Sequence, residues 1–199
     1  LTTAQIKVST EISHDLATPY PMQRLLQGDV GSGKTIVAAL AALQAIENGH
    51  QAALMAPTEI LAEQHYQKLS SWFDPLGIRV AWLSGSQKKK QKQATLDDIA
   101  SGNAHLAVGT HALFQEHVVF HQLGLAIIDE QHRFGVHQRL ALRMKGALSN
   151  TVPHQLMMSA TPIPRTLSMS YYADLDVSII DELPPGRAPI VTKLIADNR

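Results

Sequence analysis

Gly28-Asp29-Val30-Gly31-Ser32-Gly33-Lys34-Thr35 is the stretch whose reading decides the fold. It fits G-x-x-x-x-G-K-[ST], set between a short apolar run at 24–27 and an alanine-rich stretch at 35–48. Each position has a physical task. Gly28, Gly31 and Gly33 let the backbone take positive φ, so that N–H groups from Asp29, Val30 and Ser32 onward can face phosphate oxygens. A helix opening directly afterwards adds the positive end of its dipole. Lys34 is placed to reach the outer phosphates of a nucleotide, and the Thr35 hydroxyl to ligate Mg²⁺.

Working outward, short apolar runs alternate with longer helical stretches. Strands are expected at 24–27, 52–56, 79–83, 105–108, 125–128, 155–158 and 177–180. Helices are expected at 35–48, with Gly49 closing the first, then at 58–72, 87–100 and 164–172. This alternation predicts an α/β domain, a parallel sheet with helices on both faces. Trp72, Phe73 and Trp82 are expected to pack against that sheet. Around Leu183-Pro184-Pro185-Gly186-Arg187 the pattern breaks, so residues 1–182 are read as the domain and 183–199 as a stiff linker leaving it.

The run at 125–128 delivers Asp129 and Glu130 to the sheet edge where the phosphate loop lies, beyond the strand carboxyl ends. Asp129 is expected to hold Mg²⁺ through its water shell, because magnesium dehydrates reluctantly. Glu130 is expected to orient and deprotonate an attacking water, which with Lys34 makes the catalytic pair.

Composition narrows the partners. The formal net charge is zero, so any nucleic-acid surface must be local. The absence of cysteine excludes disulfides, thiolate zinc sites and cysteine nucleophiles, and is compatible with a reducing cytosol. The longest mostly apolar stretch, at 36–46, is too short to span a bilayer. The first residue is leucine, which reads as a piece cut from something larger.

Asp129-Glu130-Gln131-His132 resembles the DEAD/DEAH box of superfamily-two helicases, and other motifs follow in that family's order. Leu1-Thr2-Thr3-Ala4-Gln5 is similar to the Q motif, which implies that Gln5 reads the adenine edge of ATP. Ala56-Pro57-Thr58-Glu59 and Gly109-Thr110-His111 are similar to motifs Ia and Ib. That implies nucleic-acid backbone contacts at Pro57, Thr58, Gly109, Thr110 and His111. Ser159-Ala160-Thr161-Pro162 is similar to motif III, which implies that Ser159 and Thr161, together with His132, couple hydrolysis to movement. More narrowly, residues 129–136 and 159–167 resemble RecG-type helicases, which act on stalled forks and branched DNA. The resemblance covers nearly the whole chain. It implies a RecA-like P-loop NTPase fold, ATP and Mg²⁺ as cofactors, branched or duplex DNA as track, and a cytoplasmic, nucleoid-associated setting. It also implies two partners beyond this chain, a second RecA-like lobe supplying arginine fingers and an N-terminal wedge domain.

Weaker features stay open at this level. Thr58 reads as a helix N-cap as well as a phosphate contact. Lys88, Lys89, Lys90 and Lys92 sit where cations oppose the helix dipole, unless the helix begins later or a DNA phosphate offsets them. Arg165 is either an exposed arginine or a contact with the partner lobe or DNA. Of the ten histidines only His111 and His132 are singled out, both through their motifs. A transcription–repair coupling factor-like translocase and a nucleotide-dependent switch without translocation remain as rival readings.

Overall fold

Every strand pairing in the sheet is parallel. The computed structural model describes residues 1–130, 152–161 and 175–182. Within them lie β1 (Gln23–Gly28), β2 (Gln51–Met55), β3 (Val80–Leu83), β4 (Leu106–Gly109), β5 (Leu123–Asp129), β6 (His154–Ser159) and β7 (Asp176–Ile180). They form one seven-stranded sheet in the order β3-β4-β2-β5-β6-β1-β7. Four helices accompany it: α1 (Thr3–Leu16), α2 (Lys34–Glu47), α3 (Glu59–Phe73) and α4 (Lys89–Ser101).

Alternate strand residues point to opposite faces, and both faces here are apolar. Leu26, Ala52, Leu54, Leu125, Ile127, Leu156 and Met158 meet α1, α2 and α3 on one side. Leu25, Ala53, Met55, Ala126, Ile128 and Met157 meet Ile99 of α4 and the segment carrying Leu113, Phe114, Val118 and Phe120 on the other. The expected α/β architecture with helices on both faces is therefore observed. In α2 the buried face is mostly alanine, at Ala38, Ala39, Ala41, Ala42 and Ala45, which lets the helix lie close to the sheet.

Each expected strand is present, with ends moved by a residue or two. Trp72 and Trp82 are partly buried against the core and Phe73 fully so, as expected. The helix expected from 87 instead begins at Lys89, because Gln87 is engaged in the turn before it. Its Oε1 accepts the N–H of Ser84 and its Nε2 donates to the Trp82 carbonyl. Helix α1 was not foreseen. Thr2 caps it through a reciprocal capping box with Gln5, and Ala4, Val8 and Ile12 form its buried stripe. The expected helix at 164–172 and the linker at 183–199 lie outside the described residues.

Strand order positions the site. β6 lies between β5 and β1, with Asp129 beside Met158 and Ser159 beside Gln27. Two strand spacings, about 10 Å, thus separate the end of β5 from the phosphate loop leaving β1.

Candidate nucleotide site and nucleic-acid cleft

The loop between β1 and α2 takes positive φ at two of its three motif glycines, while a β-carbon at Gly28 would instead meet the Ser32 side chain. Gly31 and Gly33 take φ of 81° and 91°, and Gly33 is the N-cap of α2 with no side-chain cap. No side chain of the N-cap competes with an anion for the start of α2, where the Ile36 N–H already bonds the Gly33 carbonyl at 3.1 Å. Ser32 Oγ is buried without a hydrogen-bond partner, an orphan that a phosphate oxygen would satisfy. Lys34 Nζ donates to the carbonyls of Gly28 at 2.6 Å and Asp29 at 3.0 Å. Burial lowers the Lys34 pKa, while the charges of Asp129, Glu130 and Asp29 pull it back up. These three expected acids are therefore near enough to act on the Lys34 charge. Val30 is exposed on the loop, and Thr35 follows in the first turn of α2.

Gln5 stands beneath this loop. Its Nε2 donates to the Ser32 carbonyl at 2.8 Å and its Oε1 accepts the Thr2 N–H at 2.9 Å. A β-carbon at Gly33 would collide with the Gln5 amide, so the glycine also serves this close approach. Each amide atom keeps one further hydrogen-bonding valence, enough to read an adenine edge without giving up either bond.

At the end of β5, Asp129 Oδ1 accepts the Glu130 N–H at 3.1 Å, and Oδ2 lies 2.7 Å from Nε2 of His65 on α3. Glu130 takes φ of 52°, the only positive φ outside glycine among the described residues. At the end of β6, Ser159 Oγ and Thr161 Oγ1 are 3.0 Å apart, and the Thr161 carbonyl accepts Gln27 Nε2 at 3.2 Å. Thr161 is thus tied to the strand that leads into the phosphate loop. No group of three or more His, Asp or Glu that could hold a metal occurs among the described residues. Thr35 and Asp129 suit instead an ion that takes most of its oxygens from phosphates and water.

A second, open cleft of about 390 Å³ lies on the same carboxyl edge of the sheet. It brings together Pro57, Thr58, Thr110, His111 and, from α4, Lys92. Thr58 caps α3 by accepting the Leu61 N–H at 3.3 Å. Glu59 accepts hydroxyl bonds from Ser84 and Ser86, which lower its pKa. Gly109 does not line the cleft. A β-carbon there would collide with the Leu83 carbonyl of β3, so its glycine has a packing cause. Two larger hollows, about 540 and 690 Å³, lie against α1 and α2 and around His50 and His154, and of the motif residues touch Leu1 alone. His132 and Arg165 lie outside the described residues.

The family model for DEAD/DEAH box helicases matches residues 2–170. The chain belongs to that family. Across its full length it is 63% identical over 198 residues to the ATP-dependent DNA helicase RecG of Pasteurella multocida (strain Pm70), covering 29% of that protein. The RecG of Escherichia coli (strain K12) is likewise 63% identical over 198 residues, with 29% covered. The chain thus spans about 29% of the length of the curated relatives it matches. Among solved structures, RecG bound to a three-way DNA junction superposes with a TM-score of 0.82 and 47% identity, over 96% of this chain and 25% of that one. The helicase MrfA bound to DNA and AMPPNP matches at a TM-score of 0.71 and 20% identity, over 92% of this chain and 27% of that one, a likeness of fold alone. The RecG-type resemblance carried by residues 129–136 and 159–167 agrees with these matches.

Two residues of this DEAD/DEAH-box domain escaped the sequence reading. Gln27 has no motif position, and its role emerges only from the β1–β6 pairing. His65 was passed over among the ten histidines, because its partner lies 64 residues away in the chain. No helix among the described residues is long and apolar enough to cross a membrane.

Proposed function

We propose that this chain is the ATP-binding lobe of a DNA translocase that acts on branched DNA such as stalled forks and Holliday junctions. One observation carries the reading: strand order sets the end of β5, with Asp129 and Glu130, on the same sheet edge as the phosphate loop and Lys34, and the cleft of Thr58, Thr110 and Lys92 opens on that edge too. The names of the RecG relatives support the same class.

The residues divide the work. Gln5 selects adenine, the loop from Gly28 to Gly33 cradles the phosphates through backbone N–H groups, and Lys34 exchanges its two carbonyl partners for phosphate oxygens. Thr35 and Asp129 would hold Mg²⁺, which when bound neutralises phosphate charge. Glu130 orients the attacking water and accepts its proton. Ser159 and Thr161, through Gln27, report the state of the loop to the end of β6, and His132 acts with them. Pro57, Thr58, Thr110, His111 and Arg165 hold the DNA backbone, a contact without sequence information that suits travel over any sequence, while Gly109 packs against Leu83 beside them.

The lysines of α4 support this assignment. Lys88 is the N-cap, no side-chain cap is present and the first turn holds no acid, so these cations lie against the positive helix end. Each opposes the dipole by about 0.3–1 kcal/mol, and a DNA phosphate in the cleft beside Lys92 would offset that cost. Replacing Lys88, Lys89, Lys90 and Lys92 with glutamine should flatten the salt dependence of DNA binding by the full-length protein, and an unchanged slope would refute their part.

Residues 1–182 form the lobe and 183–199 the connection to a second RecA-like lobe, whose arginines complete the site. A wedge domain on the N-terminal side grips the branch point, and the whole works beside the nucleoid in the cytoplasm. The deciding experiment is ATP turnover by the full-length protein, with and without a model fork, beside Glu130→Gln. Fork-stimulated turnover that the variant abolishes is expected. Turnover indifferent to every nucleic acid would leave a nucleotide switch without translocation, and stimulation by linear duplex alone would favour a coupling factor-like translocase.

A further inference from the structure

Asp129 is held at both of its oxygens, by the Glu130 N–H on one side and His65 on the other. A carboxylate only accepts, so Nε2 carries the hydrogen and donates. At 2.7 Å this is a short, charge-assisted bond, and the two side chains are only 13% and 12% exposed. Two bonds on two oxygens hold the carboxylate in a single orientation.

The donor comes from an informative place. His65 lies on α3, about two turns or 10 Å along the axis from Thr58. Thr58 is both the helix N-cap and a wall of the nucleic-acid cleft. Farther along, Leu69 and Phe73 anchor α3 in the core. A capped and anchored helix moves as one body, so a displacement felt at Thr58 reaches Nε2. α3 therefore joins the cleft to the carboxylate by one rigid element and one hydrogen bond.

We propose that His65 is a positioning residue that orients Asp129 toward Mg²⁺ and, through α3, links occupancy of the nucleic-acid cleft to the nucleotide site. The proposal rests on the nucleotide reading of Asp129 given above. Hydrogen-bond partners that orient metal-ligating carboxylates are worth about 10–100-fold in metal affinity, which sets the expected size. Coupling between the two sites must also be reciprocal, so DNA should change the Mg²⁺ requirement of nucleotide binding.

The test is a Mg²⁺ titration of the binding of a fluorescent ADP analogue to the full-length protein, with and without duplex DNA, for wild type, His65→Ala and His65→Gln. His65→Ala should raise the half-maximal Mg²⁺ concentration by about 10–100-fold and erase its dependence on DNA. His65→Gln, whose Nε2 can donate from a similar reach, should restore most of both. If His65→Ala does not fold, His65→Leu keeps the volume without the donor and takes its place. An unshifted Mg²⁺ requirement, or a glutamine variant as impaired as alanine, overturns the positioning role. A DNA effect that persists without His65, or that wild type lacks, overturns the link to the cleft. Binding of the analogue at saturating Mg²⁺ separates these failures from a wider one, since its absence in wild type would refute the nucleotide reading itself.

Discussion

The side chain of Gln5 donates to the backbone carbonyl of Ser32 at 2.8 Å, so the first helix of the chain braces the phosphate loop from below. The same amide closes the capping box with Thr2. Gln5→Ala should therefore lower stability by about 1–2 kcal/mol and weaken nucleotide binding together. Gln5→Glu keeps an acceptor for Thr2 but turns a carboxylate oxygen on the Ser32 carbonyl. It should retain much of the helix cap and still lose nucleotide affinity. Urea unfolding beside nucleotide titration reads the two effects separately, and parallel loss in both variants would mean that the brace has no role of its own.

Gly109 offers a different separation. Read as a motif residue it belongs with Thr110 and His111, yet the structure gives it a packing task against Leu83. Gly109→Ala should cost about 1–3 kcal/mol of stability by forcing β3 and β4 apart. His111→Ala, at an exposed position in the cleft, should leave stability within about 0.5 kcal/mol and act on DNA binding instead. Thermal melts in the absence of DNA check the contrast.

Gln51 is a buried amide with three backbone partners. Nε2 donates to the carbonyls of Ile99 and Ala104, and Oε1 accepts the N–H of Gln122. It thereby ties the start of β2 to the end of α4 and the approach to β5. Gln51→Leu would take a partner from three backbone groups, of which the Ile99 carbonyl keeps the Gly102 N–H at 3.3 Å, and should cost about 1–3 kcal/mol. Nucleotide affinity, governed at the other end of the sheet, should be unchanged in the variant that remains folded.

His154 predicts a pH dependence. Burial, and then neighbouring His50, lower its pKa below 6.5, against a smaller opposing pull from Asp15. Its Nδ1 accepts the Met22 N–H at 3.0 Å, so the folded protein holds the neutral ring. The unfolded chain takes up the proton more readily. This group's contribution is complete above the unfolded value of 6.5 and is lost as pH falls through the depressed folded value. His154→Asn keeps an acceptor for Met22 and removes the titration. Its melting temperature should fall less than that of wild type on acidification from neutral pH, and parallel profiles would refute the assignment.

The fold was legible wherever local sequence carried the constraint. The loop at 28–35 could be read because Gly31 and Gly33 occupy backbone conformations that other residues rarely adopt. β2 could be read because the short apolar run at 52–56 has no other economical place in a two-faced sheet. Helix α1 was equally present in the sequence, since Thr2 and Gln5 have capping-box spacing. Gln5 closes that box and braces the phosphate loop with the same amide, so its motif position alone does not reveal the cap. His65, Gln27 and Gln51 were not legible, because each finds its partner on an element placed beside it only by the strand order β2-β5-β6-β1 and its crossovers. Spacing encodes what one element does to itself, and says little about which strand end a distant helix will meet.

Glu130 keeps a left-handed backbone conformation that disfavours any residue with a β-carbon, a strain of about 1–3 kcal/mol. Glycine would rest there at ease, and glycine has no carboxylate. A library of the full-length protein selected only for heat resistance should therefore drift toward glycine at 130 and, on the role proposed for Glu130, arrive at a sturdier protein with its ATP turnover lost. Durability and work pull in opposite directions at that one position.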